Sequence, residues 1–288
     1  MIVDTHIHPI ADDRTKYPRL KDRPENKGKD IRGVEHLGQP EWPAFGIEEL
    51  LKTFNESGVE KATLVQAFYT YQYDNSYVID LAKADPKRFV SVVVLDEMNP
   101  ATPDQLTDLV KNHRVRGWRI MGNKTAEFFA DPKVAALWKR SEDLGIPISL
   151  GSRYTEIPFL TQHIERTTRV PVCIEHTWSM KLEAPFRDYA KRILDLAKFP
   201  NVHLKVAAPL SISIRDANLD AKEVWGTLIE AFGANRIMWG SNYPANWHKH
   251  GTFKERVDLM KEDLAFLSKT EQDQILGKTA QSVWTDLK

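Results

Sequence analysis

The sequence predicts an α/β chain folded as a (β/α)8 TIM barrel, a single domain with a long lid loop after strand one. Three observations carry this expectation. Short β-rich runs alternate with amphipathic helical stretches almost to the end of the chain. Eight such runs are countable, and they recur about once per 35 residues, the spacing of parallel βαβ units. No linker or low-complexity segment interrupts the 288 residues, so 1–288 is read as one domain.

The strands are expected at Ile2–His8, Lys61–Ala67, Phe89–Leu95, Val115–Met121, Ile146–Leu150, Val170–His176, Asn201–Ala207 and Ile237–Ser241. Between them lie helical patterns with one apolar stripe. Examples are Ile47, Leu50, Leu51 and Phe54, and later Val224, Trp225, Leu228, Ile229 and Phe232. Gly58, Gly145 and Gly233 stand where helices should stop, and Pro86, Pro147 and Pro200 fall between helix and strand. The stretch from Pro9 to Gly46 contains no repeat of either pattern. A loop of that length is more often functional or disordered than idle, and in a barrel it would cover the mouth as a lid.

The 40 basic and 40 acidic side chains balance, which argues against a broad nucleic-acid surface. The one cysteine, Cys173, excludes an internal disulfide framework and a Cys-rich zinc site, and its apolar neighbours mark it as a core thiol. No segment is apolar and long enough to span a bilayer, and the amino terminus lacks a secretory signal pattern. A cytoplasmic protein with no membrane and no nucleic-acid partner is expected, with association into a homo-oligomer left open.

Barrel active sites gather at the carboxyl ends of the strands, and polar residues fall there repeatedly. Side chains alternate along a strand, so His6 and His8 point the same way, with Asp4 one step deeper. Gln66 closes strand two, Asp96 and Glu97 strand three, and Arg119 lies near the end of strand four. Arg153 and Tyr154 follow strand five, His176 ends strand six, Lys205 lies in strand seven and Asn242 follows strand eight. The stretch Arg14–Arg32 carries eight Lys or Arg against three acids. With Arg119, Arg153, Tyr154, Lys205 and Arg215 as substrate-binding candidates, it suggests a small anionic cyclic substrate; a solvated charged face is the alternative. Trp42, Phe68, Tyr69, Tyr71, Trp178, Tyr243 and Trp247 lie near the same loops and are enough to line a pocket for a flat ring.

At these residues the chain resembles the amidohydrolase superfamily, within it the amidohydrolase-2 group of lactone hydrolases and non-oxidative decarboxylases. The resemblance runs through Val3-Asp-Thr-His-Ile-His-Pro9, Gly58-Val-Glu-Lys-Ala-Thr-Leu-Val-Gln66, Asp74-Asn-Ser-Tyr-Val-Ile79 and Asp85-Pro-Lys-Arg-Phe89. It continues through Val172-Cys-Ile-Glu-His-Thr-Trp178, Asn201-Val-His-Leu-Lys-Val206 and Met238-Trp-Gly-Ser-Asn-Tyr-Pro244. The resemblance implies a barrel, and in metal-dependent members a site of the strand-one His-X-His pair, a histidine after strand five and an aspartate after strand eight. Here strand five is followed by no histidine and the strand-eight position is Asn242. A neutral amide oxygen binds a transition metal poorly. The expectation is therefore a metal-independent lactonase with no cofactor; a divalent ion such as zinc, weakly held by His6 and His8, is the alternative.

Without a metal, His6 and His8 would donate N–H to the developing oxyanion, Lys205 would add positive charge, and Asn242 would orient water or substrate. His176, matching the strand-six histidine of the group, is the expected general base, with Asp96 or Glu97 next in line. The reaction implied is hydrolysis of a lactone of an anionic sugar acid or aromatic breakdown product. Two other readings stand beside it: a metal-dependent decarboxylase or C–C hydrolase of the same group, and an inactive ligand-binding barrel.

Overall fold

The structure is a computed structural model that describes residues 1–26, 40–176 and 182–288. Eight parallel strands lie side by side in chain order: β1 (Ile2–Ile7), β2 (Val59–Val65), β3 (Phe89–Val94), β4 (Val115–Met121), β5 (Ile148–Gly151), β6 (Val172–Glu175), β7 (Val202–Ala207) and β8 (Ile237–Gly240). Each falls where the sequence puts it, with only its ends moved. A helix follows every strand: α1 (Ile47–Ser57), α2 (Ser76–Ala84), α3 (Thr102–His113), α4 (Pro132–Leu144), α5 (Ile157–Arg166), α6 (Phe186–Leu194), α7 (Ala221–Phe232) and α8 (Phe253–Asp263). The punctuation works as expected. Gly58 and Gly145 take left-handed conformations at the ends of α1 and α4, and the Asp131 side chain caps the start of α4 by accepting from the Lys133 amide. No helix among the described residues is long and apolar enough to cross a membrane.

Strand alternation divides the interior in two. Trp118, Ile120, Ile148, Leu150, Val172, Ile174, Leu204 and Val206 face the helices and make the large outer core. The opposite face of the same strands looks into the barrel, where Val65, Val90, Val92, Cys173 and Met238 fill the lumen. Cys173 is thus a core residue, and burial pushes its thiol up to about 12.

The loop after β1 is pinned at both of its described ends. Ile10 and Phe45 exchange backbone hydrogen bonds of 3.2 and 2.8 Å, and Arg19 donates to Glu41 Oε1 at 2.7 Å and to the Trp42 carbonyl at 2.9 Å. Arg14 pairs with Asp22, and Arg23 donates to the Tyr71 carbonyl and Asp74. The lid expected from this segment extends over residues 27–39, which, like Trp178, lie outside the described residues.

The barrel closes where β8 meets β1, and side chains make much of that seam. Asp4 Oδ1 accepts the His6 amide at 2.8 Å and the Ser241 amide at 2.9 Å, and Thr5 Oγ1 donates to the Trp239 carbonyl at 2.7 Å. Backbone bonds from Asn242 to His6 and from His8 to Tyr243, both 2.8 Å, complete it. A Cβ on Gly240 would come within 2.8 Å of the His6 Cβ, so only glycine lets the two strands approach this closely.

The amino-terminal end of the barrel is plugged by the carboxyl-terminal segment. Trp284 enters the lumen cluster beside Val92 and Cys173, and its indole N–H donates to the Arg116 carbonyl at 3.0 Å. Trp284→Ala should leave a cavity beneath the lumen and cost about 3–5 kcal/mol of unfolding free energy, measured by denaturant titration. A cost under about 1 kcal/mol would show that the plug is dispensable.

Candidate active site

The carboxyl end of the barrel holds a dense group of buried titratable side chains. Glu175, the last residue of β6, is its centre and is 1% exposed. Its Oε2 accepts from Arg119 Nε at 2.6 Å, its Oε1 accepts from Lys205 Nζ at 3.1 Å, and His6 Nδ1 stands 3.4 Å from the same Oε1. These partners come from β4, β7 and β1, all on the lumen-facing parity. Burial by itself would raise the Glu175 carboxyl, but Arg119, Lys205 and His6 outweigh it and hold it well below the usual carboxylate range.

Three imidazoles meet above this carboxylate. His6 Nε2 and His8 Nε2 lie 3.1 Å apart, and the His6 and His176 rings meet edge to face with centroids 4.3 Å apart. His8 Nδ1 is 3.0 Å from the Val65 carbonyl, which can only accept, so Nδ1 carries the proton and Nε2 presents its lone pair. That tautomer makes His8 an acceptor in the site, where sequence reasoning expected a donor to an oxyanion. Burial is the main reason all three stay neutral. It pushes His8 and His176 down to about 3 and His6 well below its usual range, with Arg119 and Lys205 adding to the effect at His176.

Neutral His6 has one proton for two positions. On Nε2 it bonds His8 but leaves the Nδ1 lone pair against Glu175; on Nδ1 it meets Glu175 but leaves two lone pairs facing across 3.1 Å. A cation between the two Nε2 atoms resolves this, with each Nδ1–H held by an acceptor behind it, the arrangement of metal-bound histidines. The separation is close to the roughly 3.3 Å between ligands of a tetrahedral zinc with Zn–N bonds of about 2.0–2.1 Å. His6, Glu175 and His176 also present ligand atoms within 4.8 Å of one another. The imidazole pair therefore fits a divalent ion, although Arg119 and Lys205 already occupy the Glu175 carboxylate.

Asn242 is half-buried just beyond β8, in a left-handed conformation, and its backbone N–H donates to the His6 carbonyl. A buried arginine fixes that turn. Arg256 of α8 donates to the carbonyls of Ser241, Asn242 and Ala245 at 3.1, 3.2 and 2.9 Å. Gly151 ends β5, and a Cβ there would come within 3.1 Å of the Arg119 guanidinium. Strand five thus ends without a side chain because Arg119 lies across it.

The remaining candidates are dispersed. Trp42 sits beside His8, with ring centroids 5.2 Å apart. Gln66 donates to the carbonyls of Gln72 and Asp74, and Asp96 Oδ1 accepts the Met98 amide, so both shape loops. Glu97 is buried and pairs with Lys124 at 3.4 Å. Arg153 is exposed and caps the Tyr154–Glu156 turn, while the Tyr154 ring packs under Arg192 of α6. Arg215 stands apart from the site. It is held by Asp263 at 2.8 Å and Glu262 at 3.3 Å at the far end of α8, on the outer helical layer. Tyr71 is buried with its hydroxyl accepting the Ala11 amide, and Tyr243 packs on Phe45 and Phe253. Sequence reasoning did not single out Glu175 or Arg256. The signal for Glu175 was Lys205, a lysine inside an otherwise apolar strand that needs a buried counter-charge.

With this geometry in place, the comparisons become specific. The amidohydrolase family model matches residues 3–285, nearly the full length. The chain belongs to the amidohydrolase family. It is a hydrolase of that family on a TIM-barrel scaffold. An L-fucono-1,5-lactonase from Burkholderia ambifaria is 27% identical over 213 residues, covering 70% of this chain and 71% of that one. Among solved structures, a zinc-bound amidohydrolase from Burkholderia multivorans superposes with a TM-score of 0.75 at 17% identity, covering 99% of each chain. A probable 2-pyrone-4,6-dicarboxylic acid hydrolase from Acinetobacter baumannii, with citric acid bound, gives 0.76 at 16% identity, again over 99% of each. These two likenesses are likenesses of fold.

The histidines set the acid response. Each has a folded-state pKa below its ordinary 6.5, so the stability it contributes is present above that value and is lost as pH falls, toward about 3 for His8 and His176 and in the same direction for His6. Asp4 works in the opposite sense: burial raises it to about 6, and its contribution declines as pH rises from 3.8 through 6. Glu97, also raised by burial, acts with Asp4, while Glu175, held low by its cations, acts with the three histidines, and the latter set is the larger. Unfolding free energy should drop continuously below about pH 6.5 in chemical denaturation, and a flat profile from pH 7 to 4 would contradict neutral burial of the cluster.

Proposed function

We propose that this chain is a lactonase, opening the ring of a small cyclic ester with water to give the hydroxy acid. The observation that carries the reading is the convergence of three neutral imidazoles on a carboxylate that holds two fixed cations, at the carboxyl end of the barrel. The family membership and the lactonase relative support the same reaction.

His176 is neutral near pH 7 and can accept a proton from water as the water oxygen bonds to the ester carbonyl carbon. The imidazolium so formed is favoured by the neighbouring Glu175 charge. The carbonyl electron pair moves onto oxygen, and the cations of Arg119 and Lys205 stabilise that charge without reorganising, because Glu175 already fixes them. The ring C–O bond then breaks, and the ring oxygen leaves with its electron pair and takes the proton from His176. Asn242 does not titrate, so its amide orients water or substrate. Held by His6 and His8, a divalent ion would supply polarisation of the carbonyl and a more acidic water.

His176→Ala should lower kcat/KM on lactones by roughly 100-fold or more with the circular dichroism spectrum unchanged, as read by a pH-indicator assay of acid release. Turnover near that of the wild type would remove His176 from the reaction. Failure of the wild type to open aldonolactones, simple lactones and carboxylated pyrones alike would sink the lactonase reading.

An amide at position 242 is a poor donor to a divalent ion. Asn242→Asp should tighten zinc binding by about tenfold or more, as a carboxylate replaces a poor donor beside His6 and His8. Chelator competition with metal analysis of the dialysed protein measures this. Equal zinc affinity in the two proteins would place residue 242 outside ligand reach.

A further inference from the structure

Trp284 enters the barrel from its amino-terminal end, yet its ring reaches a group that the reaction uses. Lys205 Nζ donates to Glu175 Oε1 at 3.1 Å, and the same ammonium stands over the Trp284 ring, 5.6 Å from its centroid. Both side chains are enclosed, Lys205 1% and Trp284 2% exposed. In the strand register Lys205 lies level with Glu175 of β6 and Met238 of β8. The lumen around Trp284 is otherwise built from groups such as Val92, Cys173 and Met238, which give an ammonium little to bond.

An ammonium in such a place has lost its water. The carboxylate takes one of its three N–H groups, and an aromatic face is the apolar surface that still carries negative potential for the rest. Cation–π attraction strengthens when both partners are desolvated, as they are here. The ring is also fixed in orientation, which filling the lumen would not require. Its indole N–H donates to the Arg116 carbonyl at 3.0 Å, and its backbone N–H to the Ala280 carbonyl at 2.8 Å. Two residues further on, Asp286 is gripped by Arg116 at 3.1 Å and Arg114 at 3.3 Å.

Resting on the lactonase reading, we propose that Trp284 is a positioning residue for the reaction: its indole face backs the Lys205 ammonium and holds it against Glu175, in the place from which it stabilises the oxyanion. Trp284 acts through Lys205 and touches no reacting atom. The segment that closes the floor of the barrel thereby also sets the geometry of the chemistry above it.

The test alters the electron density of the ring while keeping its shape. Trp284 is replaced, by nonsense suppression, with tryptophans carrying one to four fluorines, which weaken the negative face and retain the size and the indole N–H. On the best lactone substrate kcat should fall stepwise, by about tenfold over the series, with KM changed less than about twofold, because the ring serves a charge that develops in the transition state. In a Lys205→Met background the same series should leave kcat flat. Trp284→Phe, which keeps a ring, should retain most of the activity, and Trp284→Met, similar in volume and equally without the N–H, should lose about tenfold in kcat. Thermal unfolding reports whether these two variants are folded. The fluorinated series is close to isosteric, so its slope in the unmodified background decides the proposal even where Trp284→Met folds poorly or Lys205→Met turns over too slowly to follow. A purely structural ring would shift the Tm and leave kcat flat across the series. That flat kcat, a decline undiminished in Lys205→Met, or equal kcat in folded Phe and Met variants would each overturn the proposal while leaving the lactonase reading intact. No turnover of any lactone by the wild type would overturn that reading, and this proposal with it.

Discussion

The site depends on one buried carboxylate. Glu175 is enclosed by protein, and an isolated carboxylate there would carry a desolvation penalty of several kcal/mol. It stays ionised because Arg119, Lys205 and His6 reach it from three different strands. The same contacts decide where those groups sit. Arg119 lies across Gly151 because its Nε is bound on the far side, and Lys205 spans the lumen between Glu175 and the Trp284 ring, 5.6 Å from its Nζ. Breaking such a network by removing its centre is far more costly than never having built it, since two cations would be left buried without a partner.

The seam between β1 and β8 is the second constraint, and it carries the histidines. A sheet closed by regular pairing would not need Asp4 to gather two backbone amides or Thr5 to bond across to Trp239. These bonds fix the backbone of His6 from both sides, while Arg256 holds the turn after β8 by three carbonyls. The cost is visible at Asp4, whose second oxygen is unpartnered, and at Arg256, which burial lowers to about 10. Rigidity at the seam gives the imidazole pair its short, fixed separation.

The fold was legible because its signal is periodic. Alternation in eight short runs and single apolar stripes between them are local properties, and they agree with the barrel at every strand. The site was legible only in part. His6, His8, His176, Arg119 and Lys205 announced themselves as polar residues at strand ends, and the structure brings them together. Arg153, just after a strand end, and Arg215, a candidate by its charge, are not brought in: one caps a turn and the other is tied into the helical layer. Charge type does not reveal which partner a side chain has, and partner choice is long-range: Arg119 and Glu175 are 56 positions apart. Glu175 was hidden because nothing in its local sequence shows the cations from β4 and β7 that hold it. The tautomer of His8 could not be read at all, because it is set by a carbonyl of β2.

These constraints together explain how a strand end can lose a side chain and still contribute to the chemistry. Gly151 supplies nothing itself, but its missing Cβ admits the Arg119 guanidinium to the space a larger residue would fill. Arg119 in turn is oriented by Glu175, which sits next to His176 and within reach of His6. Two cations against one carboxylate leave a net positive charge, held in place by side chains that need not move during reaction. Such an arrangement gains most when negative charge appears only during reaction, on a carbonyl oxygen, because a substrate that arrives charged would compete with Glu175 for the same donors. A neutral ester that becomes an oxyanion meets preorganised cations at the moment they are needed, and this is how the cluster would serve lactone opening.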